Sequence, residues 1–363
     1  MLALVSDAFG GYGGIAVYVS DFLGALASHP RCSEIVTLPR IVVTDPGPLP
    51  PKITHLTAGV GGKLRYLGAF ARTLARDRRF DLIICAHINL LPFAYAAHRL
   101  TGAPIVMLMY GIDVWQPPKN ALSRLFLKKL LAYVSISRIT QERFLEWAPK
   151  LRAKPHILPN AIHLENYAPG PKDEALAARY GVTGKRVLMT LGRLVAEERY
   201  KGFDEVIETL PDLLNDSPDL VYLIAGKGSD MERLKEKARS VGVGDHVVFT
   251  GYVAEEEKAA LYRLADVYVM ASRGEGFGFV ILEALATGIP TIASAVDGGR
   301  EALRDGMLGQ LVDPANPEEL KTAIRHALKM DKEVPPGLAY FAYPNFKERL
   351  HGMFDEWMSE RPA

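Results

Sequence analysis

Short apolar runs alternate with amphipathic stretches along the whole of this 363-residue chain. In the first half the runs fall at 2–6, 35–38, 82–85, 105–109 and 133–136, with a shorter one at 157–158. Continuous apolar runs of this length, separated by segments of helical period, predict buried parallel strands joined by helical crossovers. A polar passage rich in Pro and Gly at 166–172 interrupts the pattern. It then restarts with runs at 187–191, 221–225, 247–250, 267–270 and 291–293. Two βα series of similar length predict an α/β protein with two Rossmann-like domains, 1–165 and 166–340. The expected functional site is the cleft they share, because open parallel sheets bind ligands beyond their strand C-termini. Between Asn345 and Glu360, the residues Phe346, Leu350, Met353, Phe354 and Trp357 recur at helical spacing, after Pro335, Pro336 and Pro344. The segment 341–363 is therefore expected to be a helix. It would pack back towards the N-terminal domain or, as the plainer alternative, stand as a terminal helix.

Composition changes this picture little. Apolar residues make up 48% and charged residues 23%, which is ordinary for a globular protein. No apolar run approaches the roughly 18 residues that span a bilayer. The start, Met1-Leu2-Ala3-Leu4-Val5-Ser6-Asp7, lacks a basic region and reads as a first strand and not as a signal peptide. The two cysteines, Cys32 and Cys85, have no paired spacing, so neither a disulfide framework nor a zinc site is expected. Cys85 reads as a buried apolar thiol, and a reducing cytoplasm is the expected compartment.

Charge is more informative. The net charge of +1 hides 19 Lys/Arg against 10 Asp/Glu in residues 1–165, and 24 against 32 in the rest. The basic residues of the first half cluster in two amphipathic stretches. One holds Lys63, Arg65, Arg72, Arg76, Arg78 and Arg79 among Leu64, Leu67, Phe70 and Leu74. The other is Arg124-Leu125-Phe126-Leu127-Lys128-Lys129-Leu130-Leu131. Basic helices mixed with Leu and Phe suit an anionic membrane surface, and a solvated helix face is the alternative. Nucleic acid is not expected, since no recognised binding motif accompanies the charge.

The segment Glu275-Gly276-Phe277-Gly278-Phe279-Val280-Ile281-Leu282-Glu283 carries the most chemistry. It sets two carboxylates eight positions apart around a glycine-aromatic turn that opens a helix. Free N–H groups at a helix start favour phosphate or sugar oxygens, and an acid in the first turn, where Glu283 is expected, suits the macrodipole. A nucleotide sugar could place its diphosphate on the N–H groups and its hydroxyls on the carboxylates. Spacing alone leaves open that Glu275 is a loop acid and Glu283 an ordinary helical glutamate.

Other strand ends add candidates. Gly10-Gly11-Tyr12-Gly13-Gly14 follows the first strand and precedes a helix, so its backbone can approach a phosphate or simply turn tightly. Arg193, after the strand at 187–191, and Lys201, before the next helix, could together neutralise a leaving diphosphate. His87 and Tyr110-Gly111-Ile112-Asp113 follow two more strands. His87 is a hydrogen-bond partner for a hydroxyl or a core histidine, and Asp113 is a catalytic acid or a cap. Asn160, in Pro159-Asn160-Ala161, is a cleft residue or a turn former. The chain has no D-x-D triplet, so a carboxylate-held divalent metal has no obvious seat and none is expected. Phosphate-binding P-loop, H-E-x-x-H and G-x-S-x-G motifs are likewise missing, which removes kinase, metalloprotease and serine-hydrolase classes.

Taken together, these pieces resemble the retaining glycosyltransferases of family 4, which have the GT-B fold. The likeness runs through the glycine loop, Tyr110–Asp113, Ser135-Ile136-Ser137, Pro159-Asn160-Ala161 and Gly192-Arg193-Leu194 with Lys201-Gly202-Phe203. It continues through Ala225-Gly226-Lys227-Gly228, Phe249-Thr250-Gly251-Tyr252-Val253 and Glu275 to Glu283. The resemblance implies that Arg193 and Lys201 bind the donor diphosphate, Glu283 the ribose diol, and Glu275 the transferred sugar. Amides of Gly276, Phe277, Gly278, Phe279 and Val280 would bind sugar hydroxyls or phosphates. Gly13 and Gly14 would close on the phosphates from the other domain, and Gly251 and Val253 would face the base. Family members commonly carry His-Gly-x-Asp where this chain has Tyr110-Gly111-Ile112-Asp113, and Asn-Gly where it has Asn160-Ala161. A phenol donates a hydrogen bond but is a poor base, so His87 is the residue left to compensate.

The implied activity is a metal-independent hexosyltransferase that needs no cofactor beyond its UDP- or GDP-sugar substrate and retains the anomeric configuration. Its acceptor would be a glycan. A lipid-linked precursor in O-antigen-type polysaccharide biosynthesis, met at the inner membrane face, suits the basic first domain. The alternatives are a soluble acceptor, a nucleotide-sugar epimerase of the same fold, and a non-catalytic nucleotide-sugar-binding subunit.

Overall fold

A computed structural model of the protein describes residues 1–76 and 79–359, so Arg78 and Glu360 of the basic and C-terminal stretches lie outside the described residues. The chain divides into two compact units, 1–161 joined by the segment from Tyr343 onward, and 162–342.

The first unit holds seven parallel strands: β1 (Leu2–Val5), β2 (Ile35–Pro39), β3 (Ile53–His55), β4 (Ile83–Cys85), β5 (Ile105–Met109), β6 (Ala132–Ser135) and β7 (Lys154–Ile157). Their order across the sheet is β3-β2-β1-β4-β5-β6-β7. The strands with wholly apolar sequences, β1, β4 and β5, sit at the centre and are fully buried, because helices cover both faces of a parallel sheet. Polar residues collect at the edges. β7 contains Lys154, Pro155 and His156, and an edge strand tolerates a proline that cannot donate to the ladder. That polarity explains why the apolar run at 157–158 marks only the end of β7. β3, three residues long, lay below the reach of any apolar-run criterion.

The second unit has six parallel strands: β8 (Arg186–Leu191), β9 (Leu220–Ala225), β10 (Val247–Gly251), β11 (Val267–Met270), β12 (Thr291–Ser294) and β13 (Gln310–Val312). Their order is β10-β9-β8-β11-β12-β13. β13 is the second strand that the apolar pattern did not reveal, again a three-residue edge. Both sheets are α/β and doubly wound. In each the winding direction reverses once, between β1 and β4 and between β8 and β11, and the segments that follow those strands diverge.

The C-terminal helix Tyr343–Ser359 belongs to the first unit, where it packs along the helix Gly14–Ser28. Phe346, Leu350, Phe354 and Trp357 form its buried stripe, while Met353 is only partly covered. The Phe346 ring meets Tyr18 edge-on at 5.8 Å and the Phe354 ring meets His29 at 4.9 Å. Polar contacts fix the register. Arg31 pairs with Asp355 at 2.9 Å, and the Trp357 indole donates to His156 Nε2 at 3.1 Å. Both cysteines are free and buried, and burial pushes the Cys85 thiol up to about 12. No helix among the described residues is long and apolar enough to cross a membrane.

Trp357 is fully buried and carries one of the largest side chains of the core. Trp357→Ala should therefore cost about 3–5 kcal/mol, against less than about 1 kcal/mol for Met353→Ala. Urea unfolding of the two variants checks the difference.

Candidate functional site

The reversal between β8 and β11 gathers the charged candidates of the second unit. Leu191-Gly192-Arg193 leaves β8, and a kinked 3-10 segment, Ala196–Lys201, returns the chain to the helix Phe203–Asp216. Gly202 makes the return possible. Its φ is +85°, and a Cβ there would lie 2.2 Å from the carbonyl oxygen of Ala271 at the end of β11. The return places the Lys201 ammonium, 14% exposed, 3.6 Å from Glu275 Oε2 and 3.4 Å from Glu198 Oε2. Glu198 also accepts a hydrogen bond from Arg193, whose side chain is 65% exposed. Arg193, Lys201 and Glu275 are thus brought together, with Glu198 as a fourth member that the sequence did not reveal. A buried ammonium is tolerated only where carboxylates compensate it, and Lys201 has two.

Glu275 is held by Asp297, a second unforeseen residue. The Asp297 carboxylate accepts from the Glu275 N–H at 2.8 Å, the Ser272 hydroxyl at 2.6 Å and the Gly299 N–H at 2.9 Å. Burial outweighs these bonds and pushes its carboxyl up to about 6. Gly298 donates to the Glu275 carbonyl at 2.9 Å, and a Cβ on it would lie 2.1 Å from the Gly276 oxygen, so only glycine fits. An Asp-Gly-Gly sequence after a strand was the available signal.

Gly276 and Gly278 are buried in the turn, and Phe277 anchors it edge-on against Phe341 at 5.4 Å. Gly278, with φ +95°, precedes the helix Phe279–Ala286, and Phe279 and Val280 are half-buried at its start. Glu283 is the fifth residue of that helix, not a first-turn acid, because the helix starts only after Gly278. Its support comes from side chains instead of the macrodipole. The Tyr262 phenol donates to Glu283 Oε2 at 2.7 Å, and Lys258 lies 3.4 Å from Oε1. Glu283 is therefore not ion-paired with the Arg193 cluster. Both it and Glu275 nevertheless act on the buried Tyr268 phenol, which burial first and then these charges push well above its ordinary value. Gly251, φ +72°, follows an irregularity in β10 and accepts from the Gly226 N–H at 3.0 Å. Beside it Tyr252 is exposed, under the Lys227 ammonium, and Val253 is half-buried.

In the first unit, Gly13, φ +87°, caps the helix that Gly14 begins, with no side-chain cap, and both residues are exposed. Tyr110 is buried. Its N–H donates to Asp113 Oδ1 at 3.1 Å and its phenol donates to the Ala86 carbonyl at 3.0 Å, beside His87. The phenol at the position of the family histidine is thus a structural donor. His87 caps its own turn: Nδ1 accepts from the Asn89 N–H at 3.1 Å, which leaves the ring proton on Nε2. Burial lowers its pKa. Asp113 Oδ2 is buried without a hydrogen-bond partner, and burial pushes the carboxyl up to about 7 despite three backbone bonds that favour its charged form. Asp7, at the end of β1, is raised the same way. Among the described residues no three His, Cys, Asp or Glu side chains converge as a metal-ligand set.

Comparison with known proteins places the chain in a family. The family model for glycosyl transferases group 1 matches residues 173–336, and that for glycosyltransferase family 4 matches residues 12–166. The chain belongs to this glycosyltransferase family. It is 34% identical over 228 residues to a GDP-mannose-dependent α-(1-6)-phosphatidylinositol monomannoside mannosyltransferase of Mycolicibacterium smegmatis, a match covering 60% of this chain and 59% of that protein. It is 29% identical over 344 residues to a phosphatidyl-myo-inositol mannosyltransferase of Mycobacterium leprae, covering 88% and 87%. Among solved structures, Anabaena HepE in complex with UDP superposes with a TM-score of 0.78 at 18% identity, over 98% of this chain and all of that one. Trehalose-6-phosphate synthase OtsA gives 0.71 at 15% identity, over 99% of each chain. These likenesses show the GT-B fold.

The pKa of Asp113, raised from 3.8 to about 7, means that the folded protein holds this proton more tightly than the unfolded chain. Its contribution to stability is complete below about pH 4 and is lost as pH rises through about 7. Wild type should accordingly lose stability relative to Asp113→Asn across that window, as urea titrations at pH 4, 5.5 and 8 would show.

Proposed function

We propose that this protein is a retaining, metal-independent hexosyltransferase that moves a sugar from a nucleoside-diphosphate donor to a lipid-linked acceptor. The reading is carried by the Arg193–Glu198–Lys201–Glu275 cluster at the reversal of the second sheet, with Glu283 one helical turn further on. Arg193 and Lys201 are assigned to the leaving diphosphate, whose charge they neutralise as it develops. Glu275, held by Asp297, orients the transferred sugar, and the turn amides from Gly276 to Val280 bind its hydroxyls or the phosphates. Glu283 takes the ribose diol, and Gly251 and Val253 the base. GDP-mannose is the first donor to test, because it is the donor named for the mycobacterial relative. Asp113 and His87 of the first unit are assigned to the acceptor side.

The lipid-linked acceptor rests on the outer surface of the first unit. The helix Lys63–Arg76 buries Tyr66, Ala69, Phe70 and Leu74, and turns Leu64, 85% exposed, and Leu67 outward among Lys63, Arg65, Arg72 and Arg76. The helix Ala121–Phe126 likewise exposes Leu122 and Leu125 near Arg124, Lys128 and Lys129. The helix Leu91–Thr101 lies between the two, through Phe93 on Tyr66 and Tyr95 stacked on Phe126. Apolar side chains set among cations suit the cytoplasmic face of an anionic bilayer, where each near-surface cation contributes about 1 kcal/mol.

Thermal-shift measurements with GDP-mannose, UDP-glucose, UDP-galactose and UDP-GlcNAc, followed by transfer assays in EDTA with a lipid acceptor, test the reading. Glu283→Ala should raise KM for the donor by about tenfold or more, and Glu275→Ala should lower kcat by about 10²-fold with less effect on binding. Wild-type kinetics in both variants would contradict these assignments, as would inversion at the anomeric carbon for the retaining mechanism.

Sedimentation with phosphatidylserine vesicles at low salt tests the surface. Wild type should pellet and be released by about 0.5 M salt. The Leu64→Ser/Leu67→Ser variant should bind several-fold more weakly at unchanged donor affinity.

A further inference from the structure

The cluster of the second unit contains a carboxylate with no part in the chemistry just assigned. Glu198 is the inward-turned residue of the Ala196–Lys201 segment, where a non-helical φ/ψ of −117°, 26° interrupts the 3-10 geometry. Its side chain is 10% exposed, while its neighbour Glu197 faces solvent. Flanking contacts fix the segment on both sides. Arg199 is bidentate on Asp230, with a closest bond of 2.7 Å. The Tyr200 carbonyl accepts from the Arg273 N–H at 2.8 Å, and the Tyr200 ring covers Gly274 so closely that a Cβ there would lie 2.7 Å away. Glu198 is thus held in place by its neighbours, and it reaches both cations, Arg193 by a hydrogen bond and Lys201 at 3.4 Å.

This arrangement has the geometry of an anion site with its anion built in. Two cations face two carboxylates, so the four groups carry no formal net charge before any ligand arrives. We propose that Glu198 is a positioning residue that stands in for a phosphate in the empty protein. It holds Arg193 and Lys201 at the end of β8, and it yields Arg193 to the β-phosphate side of a nucleoside diphosphate when one binds. The proposal rests on the reading of Arg193 and Lys201 as the diphosphate site. Arg193 is the mobile partner because its side chain is mostly solvent-exposed, whereas Lys201 is enclosed between Glu198 and Glu275. The exchange keeps the site selective for a doubly charged ligand. It also favours release of the diphosphate product, since Glu198 competes for the same guanidinium.

Calorimetry with GDP and UDP on the full chain tests this, using wild type, Glu198→Gln, Glu198→Ala and Glu197→Gln. The two neutral Glu198 variants should bind the preferred diphosphate about three- to tenfold more tightly at low salt, a gain that shrinks at high salt. Glu197→Gln removes the same charge from an unpaired, exposed neighbour and should stay within about twofold of wild type. The phosphate-free nucleoside should bind all four proteins alike. In transfer assays the Glu198 variants should show a lower donor KM and a lower kcat, because the product leaves more slowly. A purely structural role predicts weaker binding throughout, and unchanged or weaker diphosphate binding in the Glu198 variants would overturn the proposal. Glu198→Asp, which keeps the charge but withdraws it from Arg193, should show a smaller gain in the same direction, and it carries the test if the neutral variants do not fold. Wild-type binding of neither diphosphate, or full affinity in Arg193→Ala and Lys201→Ala, would sink the donor-site reading and this proposal with it. Tight wild-type binding with unresponsive Glu198 variants would sink the role of Glu198 alone.

Discussion

The Lys201 ammonium, largely withdrawn from water between Glu198 and Glu275, is the constraint around which the second unit is organised. An ammonium in that position is stable only with carboxylates against it, and each carboxylate in turn must be fixed by its own loop. Glu198 depends on the segment clamped by Arg199 and Tyr200, and Glu275 depends on Asp297. These loops leave β8, β11 and β12, three adjacent strands. They meet because the winding direction reverses between β8 and β11 and opens a crevice at the strand ends. Gly202 and Gly298 let the returning backbones pass within contact distance, so the charge cluster rests on two positions that have no side chain.

The first unit reverses at the equivalent place, between β1 and β4, and fills it differently. There the buried Tyr110, after β5, meets Tyr18 of the helix Gly14–Ser28 edge-on at 5.6 Å, with the desolvated acids Asp7 and Asp113 nearby. Among the described residues no ion pair joins a guanidinium or ammonium to Asp7 or Asp113, and burial shifts both acids upward. The same topology therefore supports two electrostatic regimes. One side pairs cations with carboxylates, and the other holds acids whose pKa burial raises.

The alternation of apolar runs and amphipathic segments was enough to expect α/β architecture, and most strands lie where their apolar runs do. The exceptions share a cause. β3, β7 and β13 are edge strands, so they need only one buried neighbour and carry His55, Lys154 and Gln310 without penalty. The site was legible where chemistry and glycine punctuation coincide, as at Arg193 and in the turn from Glu275 to Gly278. It was not legible where burial reverses the usual meaning of a residue. Glu197-Glu198-Arg199 reads as a solvated charged run, and only the kink at Glu198 shows that one of its acids points inward. Tyr110 reads as a lost catalytic group. Its hydrogen bond to the Ala86 carbonyl makes it instead the brace between the β4 and β5 loops. Sequence gave no sign of that partner, because the two residues are 24 positions apart.

The position of Glu283 in the second turn of its helix changes how its assigned role has to work. A first-turn acid would draw its stabilisation from the helix N-terminus, which is also where phosphate or sugar oxygens would compete. Glu283 draws it from Tyr262 and Lys258, which approach different oxygens of the carboxylate. A carboxylate has about four acceptor directions, so even with the Tyr167 phenol also acting on Glu283 it keeps acceptor capacity for a further donor. A vicinal diol supplies two donors at the right separation and carries no charge. A phosphate supplies none and would be repelled. On the proposed assignment, the separation of Glu283 from the Arg193 cluster would sort an incoming nucleotide by chemistry, with its hydroxyls directed to a partly satisfied carboxylate and its phosphates to the cations beside Glu198.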